Sequence, residues 1–317
     1  MIENKAAIKD KIKRTGSMYP KLANLLQRCE FCHHACKVDR TSKQRGKCGC
    51  GREMVVYTHG PHRGEEPPLS GKDGSGTIFF SPCNLECVYC QNHKFSAKQN
   101  GKIVSARELA GMMLDLQEKK CHNINLVTPT PHIASIIEAL FYAYSDGLKI
   151  PVIYNTAGYD SPEVINLLDG IIDIYLPDMR YSSNEMAEKY SKTPGYVEVN
   201  RELVKLMKEQ VGDLFLSDDN IATRGLIIRI LLLPQDISGT ERTFDFIRTY
   251  LGVGTFLSVM SQYYPAYKAA SDEKLKGRIG KAYYDRILDK MKHLELHNGW
   301  IQPLEGGFDP SFAGENF

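Results

Sequence analysis

From residue 76 onward, short runs of consecutive apolar residues alternate with longer stretches whose apolar positions recur every three or four residues. The runs at 77–80, 124–128, 151–155, 171–176, 226–233 and 256–260 are rich in β-branched and aromatic residues. They lack the in/out alternation of a half-exposed strand, as expected for a parallel sheet buried on both faces. Helix signals lie between them. Ser105-Ala106-Arg107-Glu108 is a capping box, followed by Leu109, Met112, Met113 and Leu116 at helical spacing. Ser161-Pro162-Glu163 is an N-cap with proline at the first helical position. Residues 241–251 and 273–294 also have a helical pattern. Six β–α units predict an α/β chain whose parallel sheet curls into a partial (β/α)6 barrel. A closed barrel would need two more units.

The flanks read differently. Residues 1–28 look helical, with Ile8, Ile12, Leu22, Leu25 and Leu26 as packing contacts, although Gly16 and Pro20 break the pattern. Residues 53–75 hold Gly60, Pro61, Gly64, Pro67, Pro68, Gly71 and Gly74 and read as a linker or lid. Residues 295–317, with His297, Trp300, Pro303, Gly306, Gly307 and Pro310, have loop composition, and Trp300 is placed to close one end of the barrel. The expected division is a cysteine-rich region at 1–65, a barrel at 66–270, and a C-terminal helix and tail at 271–317.

Composition narrows the class. An apolar content of 42% and a charged content of 25% in 317 residues are those of a globular chain. No apolar run has the length of a membrane span, and Met1-Ile2-Glu3-Asn4-Lys5 lacks a signal-peptide core. The expectation is a cytoplasmic protein with no membrane partner. The net charge of +2 hides an asymmetry: residues 1–52 carry thirteen Lys/Arg against four Asp/Glu. Such a leader can offset the charge of thiolate–metal sites, or attract RNA or an acidic partner. A solvated basic face accounts for it equally well. The nine cysteines cluster as 29/32/36/48/50 and 83/87/90, with Cys121 alone among core residues. That clustering suggests metal sites in a reducing compartment rather than disulfides.

The most specific stretch is Ser81-Pro82-Cys83-Asn84-Leu85-Glu86-Cys87-Val88-Tyr89-Cys90-Gln91-Asn92, directly after the first expected strand. Three thiolates at C-x-x-x-C-x-x-C can hold three corners of a cubane [4Fe–4S] cluster and leave the fourth iron without a cysteine. Zinc sites more often use paired C-x-x-C hooks with four ligands. The spacing resembles that of the radical S-adenosylmethionine (SAM) superfamily. The resemblance implies a [4Fe–4S] cluster on Cys83, Cys87 and Cys90 whose open iron chelates SAM. It implies a cofactor pocket touched by Tyr89 and Asn92, and reductive cleavage of SAM to a 5′-deoxyadenosyl radical. Upstream, Cys29, Cys32, Cys36 and Cys48 are a second candidate ligand set, with Gly46 and Gly49 turning the chain back. Zinc and a second iron–sulfur cluster fit it equally. His33 and His34 fall outside that set.

Functional residues in parallel α/β sheets gather at the carboxyl ends of strands. Thr128-Pro129-Thr130-Pro131-His132 stands where most of the superfamily has a Gly-Gly-Glu-like segment, so Thr128 and Thr130 are candidates to hold the SAM amino group. His132 is a candidate proton donor, or a helix-start residue without chemistry. Asn155, and Asp178 with Arg180, resemble the strand ends of pyruvate formate-lyase activating enzymes, where an Asp-x-Lys motif contacts SAM and a peptide substrate. Arg229 lies inside an apolar strand and needs an anion, either the SAM carboxylate or Asp178. Gln262 and Tyr263 would shape the substrate end. The resemblance implies hydrogen abstraction from a protein or peptide, such as a glycine Cα, with a flavodoxin- or ferredoxin-type electron donor. Modification of RNA or a small molecule, and a non-catalytic iron–sulfur or zinc scaffold, are the alternatives.

Overall fold

The structure, a computed structural model, describes residues 2–97 and 100–304. The first half runs α1 (Ile2–Asn24), β1 (Met54–His62), α2 (Pro67–Ser70), β2 (Ser75–Phe80), α3 (His93–Ser96), β3 (Lys102–Val104), α4 (Ala106–Glu118), β4 (Ile124–Val127), α5 (Ile133–Ser145) and β5 (Val152–Thr156). The second half runs α6 (Pro162–Leu167), β6 (Ile174–Pro177), α7 (Asn184–Ser191), α8 (Tyr196–Val211), β7 (Phe215–Leu216), β8 (Ala222–Leu231), α9 (Thr240–Phe246), β9 (Phe256–Met260), α10 (Lys281–His293) and β10 (Gly299–Ile301).

The strands form one open sheet in the order β10-β9-β8-β6-β5-β4-β2-β1-β3, with β7 paired to β8. The run from β2 to β10 is parallel, and β1 turns back antiparallel to both β2 and β3. All six expected strands are present, and the sheet is the open, mostly parallel α/β architecture they imply. The capping box also forms: the Ser105 hydroxyl accepts from the Glu108 amide, and the Glu108 carboxylate accepts from the Ser105 amide.

Four local differences have physical causes. The stretch read as a linker contains β1. Pro61 is tolerated there because β3 pairs only with Met54, Val55 and Val56, which leaves that side of Pro61 without a ladder to donate to. The stretch read as a tail contains β10, a seventh parallel strand. Its Gly299 has φ +117°, and a methyl group there would stand 1.9 Å from the Leu257 carbonyl oxygen. Trp300 lies on this strand against Phe256, with ring centroids 5.5 Å apart; residues 305–317, the rest of that expected loop, fall outside the described residues. Helix α1 runs through Gly16 and Pro20. Gly16 serves packing, since a methyl there would press within 3.3 Å of the Phe141 ring on α5. The helix expected at 273–294 begins only at Lys281.

The inside of the curl is filled by the β1–β2 connection. Leu69 packs with Ile153, Ile174, Leu176, Ala222 and Ile227, and Asn123 Nδ2 donates to the Leu69 carbonyl at 2.8 Å. This plug closes one end and leaves the carboxyl ends of the strands to form the floor of a cleft.

Candidate active site

The cysteine loop leaves β2 through Ser81 and is fixed on three sides. The Glu86 and Val88 amides donate to the carbonyls of Ser191 and Tyr190, satisfying acceptors at the C-terminal end of α7. Cys83 N donates to the Ser96 carbonyl at 3.0 Å. Buried His132 donates from Nε2 to the Ser81 carbonyl at 2.8 Å. Burial holds the His132 imidazole neutral, with its pKa down at about 4. His132 therefore fastens the loop; it does not line the cleft.

Cys83, Cys87 and Cys90 line one cleft of about 170 Å³, open at its mouth. Tyr89, Asn92, Thr128, Asn155, Asp178, Arg180, Arg229 and Gln262 share its wall. Burial pushes the Cys83 thiol up to about 12 and the Cys90 thiol to about 11, and neighbouring Cys87 adds to both. Loading a metal group must therefore release protons. Buried Gln91 Nε2, Asn92 Oδ1 and Arg180 Nε have no hydrogen-bond partner among the described residues, so unspent polar groups surround the thiols.

The strand ends supply fixed charge. Arg180 donates from Nη2 to Asp178 Oδ2 at 2.5 Å. The Asp178 carbonyl accepts from Tyr196 and Asn200. The chain can pass this point because Gly158 has φ +69°; a methyl there would stand 2.6 Å from the Asp178 carbonyl oxygen. Thr128 also has a positive φ of +61°, a strained conformation for a β-branched residue placed on the cleft wall.

Arg229 finds its anion inside the chain. Its Nε lies 3.2 Å from Glu66 Oε1 and its Nη1 lies 3.7 Å from Glu65 Oε2. Asp178 bridges to it through the backbone and adds its charge at longer range, behind the two glutamates. Both glutamates come from the plug, where Gly and Pro dominate, and no pattern in that stretch marked them as partners. Glu65 reaches the cleft; Glu66 is buried, and burial raises its pKa. Thr130 is not brought to the cleft. Its hydroxyl donates to buried Asp160 at 2.6 Å, alongside Tyr154 and Thr156. Tyr263 is likewise off the cleft wall, its hydroxyl donating to the Leu275 carbonyl.

The N-terminal cysteines sit close by. Cys32 bridges to Asp160, His33 N donates to the Tyr159 carbonyl, and His34 Nε2 lies 3.0 Å from the Asn84 carbonyl beside Cys83. The sulfurs of Cys48 and Cys36 lie 3.5 and 3.7 Å from the point a Gly46 Cβ would occupy, and the Lys47 amide donates to Cys36 Sγ. A hydrogen bond from Cys50 draws the Cys48 thiol down to about 6. Arg40 is 1% exposed, and the sequence did not single it out. It donates to the Gly51 carbonyl and reaches Cys29 Sγ at 3.7 Å, with no carboxylate in ion-pair range among the described residues. The guanidinium also lies over the Phe31 ring, 5.4 Å from its centroid, and its charge favours the thiolate forms of Cys48 and Cys50. Among the described residues no three His, Cys, Asp or Glu side chains already converge tightly enough to grip a metal ion. A cubane spreads its thiolates over separate corners, so three thiols along one cleft wall still fit that group.

An open parallel sheet with a three-cysteine loop at its strand ends defines a class. The family model of the Radical SAM superfamily matches residues 77–247. The chain belongs to that superfamily. It is 32% identical over 285 residues to an uncharacterized protein of Methanocaldococcus jannaschii, covering 87% of this chain and 76% of that protein. Among solved structures it is similar to HydG, a maturase of the [FeFe]-hydrogenase, at TM-score 0.49 and 12% identity, covering 98% of this chain and 68% of HydG. It is also similar to a domain of pyruvate-formate lyase-activating enzyme from Bacteroides vulgatus, at TM-score 0.36 and 8% identity, covering 62% of this chain and 91% of that domain. Among the described residues no helix is long and apolar enough to cross a membrane.

Proposed function

We propose that this superfamily member cleaves SAM reductively at a [4Fe–4S] cluster on Cys83, Cys87 and Cys90 and abstracts hydrogen from a protein or peptide. The supporting observation is that the three thiols share one open cleft with the Asp178–Arg180 pair. The bound cluster would supply the electron and an iron with a free coordination position. The chain's own residues bind and orient. Asn92 Oδ1 and Gln91 Nε2 are unspent donors and acceptors for the cofactor, and Thr128 and Asn155 present polar groups at adjacent strand ends. Arg229 faces a ligand carboxylate only on the side that Glu65 and Glu66 leave open. Asp178 and Arg180 offer a peptide backbone one acceptor and one donor.

The test is anaerobic incubation of reduced, cluster-loaded protein with SAM and candidate peptides or glycyl-radical enzymes. The expected result is 5′-deoxyadenosine release together with an organic radical or an altered peptide. Absence of 5′-deoxyadenosine from fully loaded protein would overturn the reading. Release that no peptide or protein stimulates would overturn the substrate class. Electrons would come from a low-potential flavodoxin- or ferredoxin-type donor.

The same reading gives Cys29, Cys32, Cys36 and Cys48 to a second metal centre, a cluster or zinc. Buried Arg40 supports it, because its guanidinium reaches Cys29 Sγ and would offset the charge of ligating thiolates. Iron and zinc counting on the intact protein distinguishes the two.

A further inference from the structure

We propose that Ser191 sets the reduction potential of the cluster on Cys83, Cys87 and Cys90, through a one-way hydroxyl relay that starts at the cleft. The proposal rests on the cluster reading above. Ser191 is the last residue of α7 and fully buried. Its hydroxyl donates to Cys87 Sγ at 3.0 Å. A serine has a single hydroxyl proton, so the 2.7 Å contact between Ser191 Oγ and the Tyr181 hydroxyl must be donated by Tyr181. The same count makes Tyr89 the donor across its 2.7 Å contact with Tyr181. The order is therefore Tyr89 to Tyr181 to Ser191 to Cys87. The two tyrosines are 3% and 2% exposed, so water does not compete along the line, while Tyr89 borders the cleft.

One-electron reduction adds negative charge to the cluster and its thiolates without breaking a bond or moving a proton. A donor to a ligating sulfur stabilises that added charge and raises the potential. Relayed hydroxyls polarise one another, so the last bond is stronger than a lone serine would give. Cys90 provides an internal comparison. Ser96 Oγ lies 3.0 Å from Cys90 Sγ, and no tyrosine hydroxyl contacts Ser96 among the bonds of the described residues.

The experiment is a potentiometric titration of the anaerobically reconstituted full-length protein, with a low-potential chemical reductant as electron source and electron paramagnetic resonance of the reduced cluster as readout. Ser191→Ala should lower the reduced-to-oxidised ratio at fixed poise about tenfold, or 59 mV for one electron. Ser191→Thr should retain the wild-type ratio. Tyr181→Phe should lower it about threefold, by removing polarisation alone. Ser191→Ala with full iron and an unchanged potential would overturn the proposal. Should Ser191→Ala not load iron, an unchanged potential in Tyr181→Phe would overturn it instead. Wild-type protein that assembles no cluster would sink the cluster reading itself, a different and separately visible failure.

Discussion

The two cysteine groups lie side by side and are built on opposite plans. Cys83, Cys87 and Cys90 hang on a loop between a strand end and a helix end, with their thiols on an open cleft. The N-terminal five lie on a loop that has internal backbone bonds, such as Cys29 N to Val38 O and Gly46 N to Cys50 O, ties to the barrel at Cys32 and His33, and a buried arginine beside Cys29. The first has three thiols and unspent polar neighbours, an arrangement for receiving a ligand. The second has five thiols, of which Cys29 and Cys50 are buried, and a buried cation beside them. Cysteine count alone does not separate a reactive site from a structural one. The polar groups left over around the thiols do.

The strongest way to break the comparison is the Cys83/Cys87/Cys90 triple alanine variant. On the proposed function it should abolish SAM cleavage and lose the cleft's iron, while any metal held by the N-terminal cysteines stays unchanged by elemental analysis. Loss of metal from both regions would show that they form one unit. Next comes Arg40→Met, which would leave the ligating thiolates of the proposed second centre without a counter-charge. Removing one member of a buried charged set costs about 3–5 kcal/mol. The expected outcome is a marked fall in thermal midpoint with N-terminal metal lost first and cleft iron retained.

His132 bridges the two regions, since the same Nε2 lies 3.9 Å from Cys50 Sγ. Its folded pKa of about 4 lies below the unfolded value of about 6.5. Above pH 6.5 both states are neutral at this position and it contributes no pH dependence. As pH falls from 6.5 toward 4 only the unfolded state takes the proton, so stability falls by about 3 kcal/mol. Urea unfolding of wild type and His132→Gln across that window should show a steeper fall in wild type, by this amount. The smallest effect belongs to a residue in neither region. Ser105→Ala removes the α4 cap and should cost about 1 kcal/mol in urea unfolding. It should leave both metal contents unchanged.

What the sequence made legible was whatever local chemistry determines. The strands show as apolar runs because a sheet covered on both faces leaves no polar side to alternate with. The cysteine loop shows because ligand spacing is a chain property. β1 was hidden by Pro61, since a proline's cost depends on whether a neighbouring strand wants its hydrogen bond, and that is a tertiary fact. β10 is three residues long and leaves no pattern to read. Arg229 was recognised as needing an anion, yet Glu65 and Glu66 lie more than 160 positions earlier in the chain. Thr130 and Thr128 look alike in sequence. The left-handed turn at Thr128 sends one to the cleft, while the other falls to the buried Asp160 cluster.

The docking of the cysteine loop on the last turn of α7 has a mechanical consequence. The carbonyls of Tyr190 and Ser191 hold the loop's amides, while the Ser191 side chain holds a sulfur. The loop and the helix end are thereby coupled as a lever and its fulcrum. Cys87 and its hydroxyl donor thus share one anchor, so whatever unwinds the last turn of α7 loosens the thiol as well.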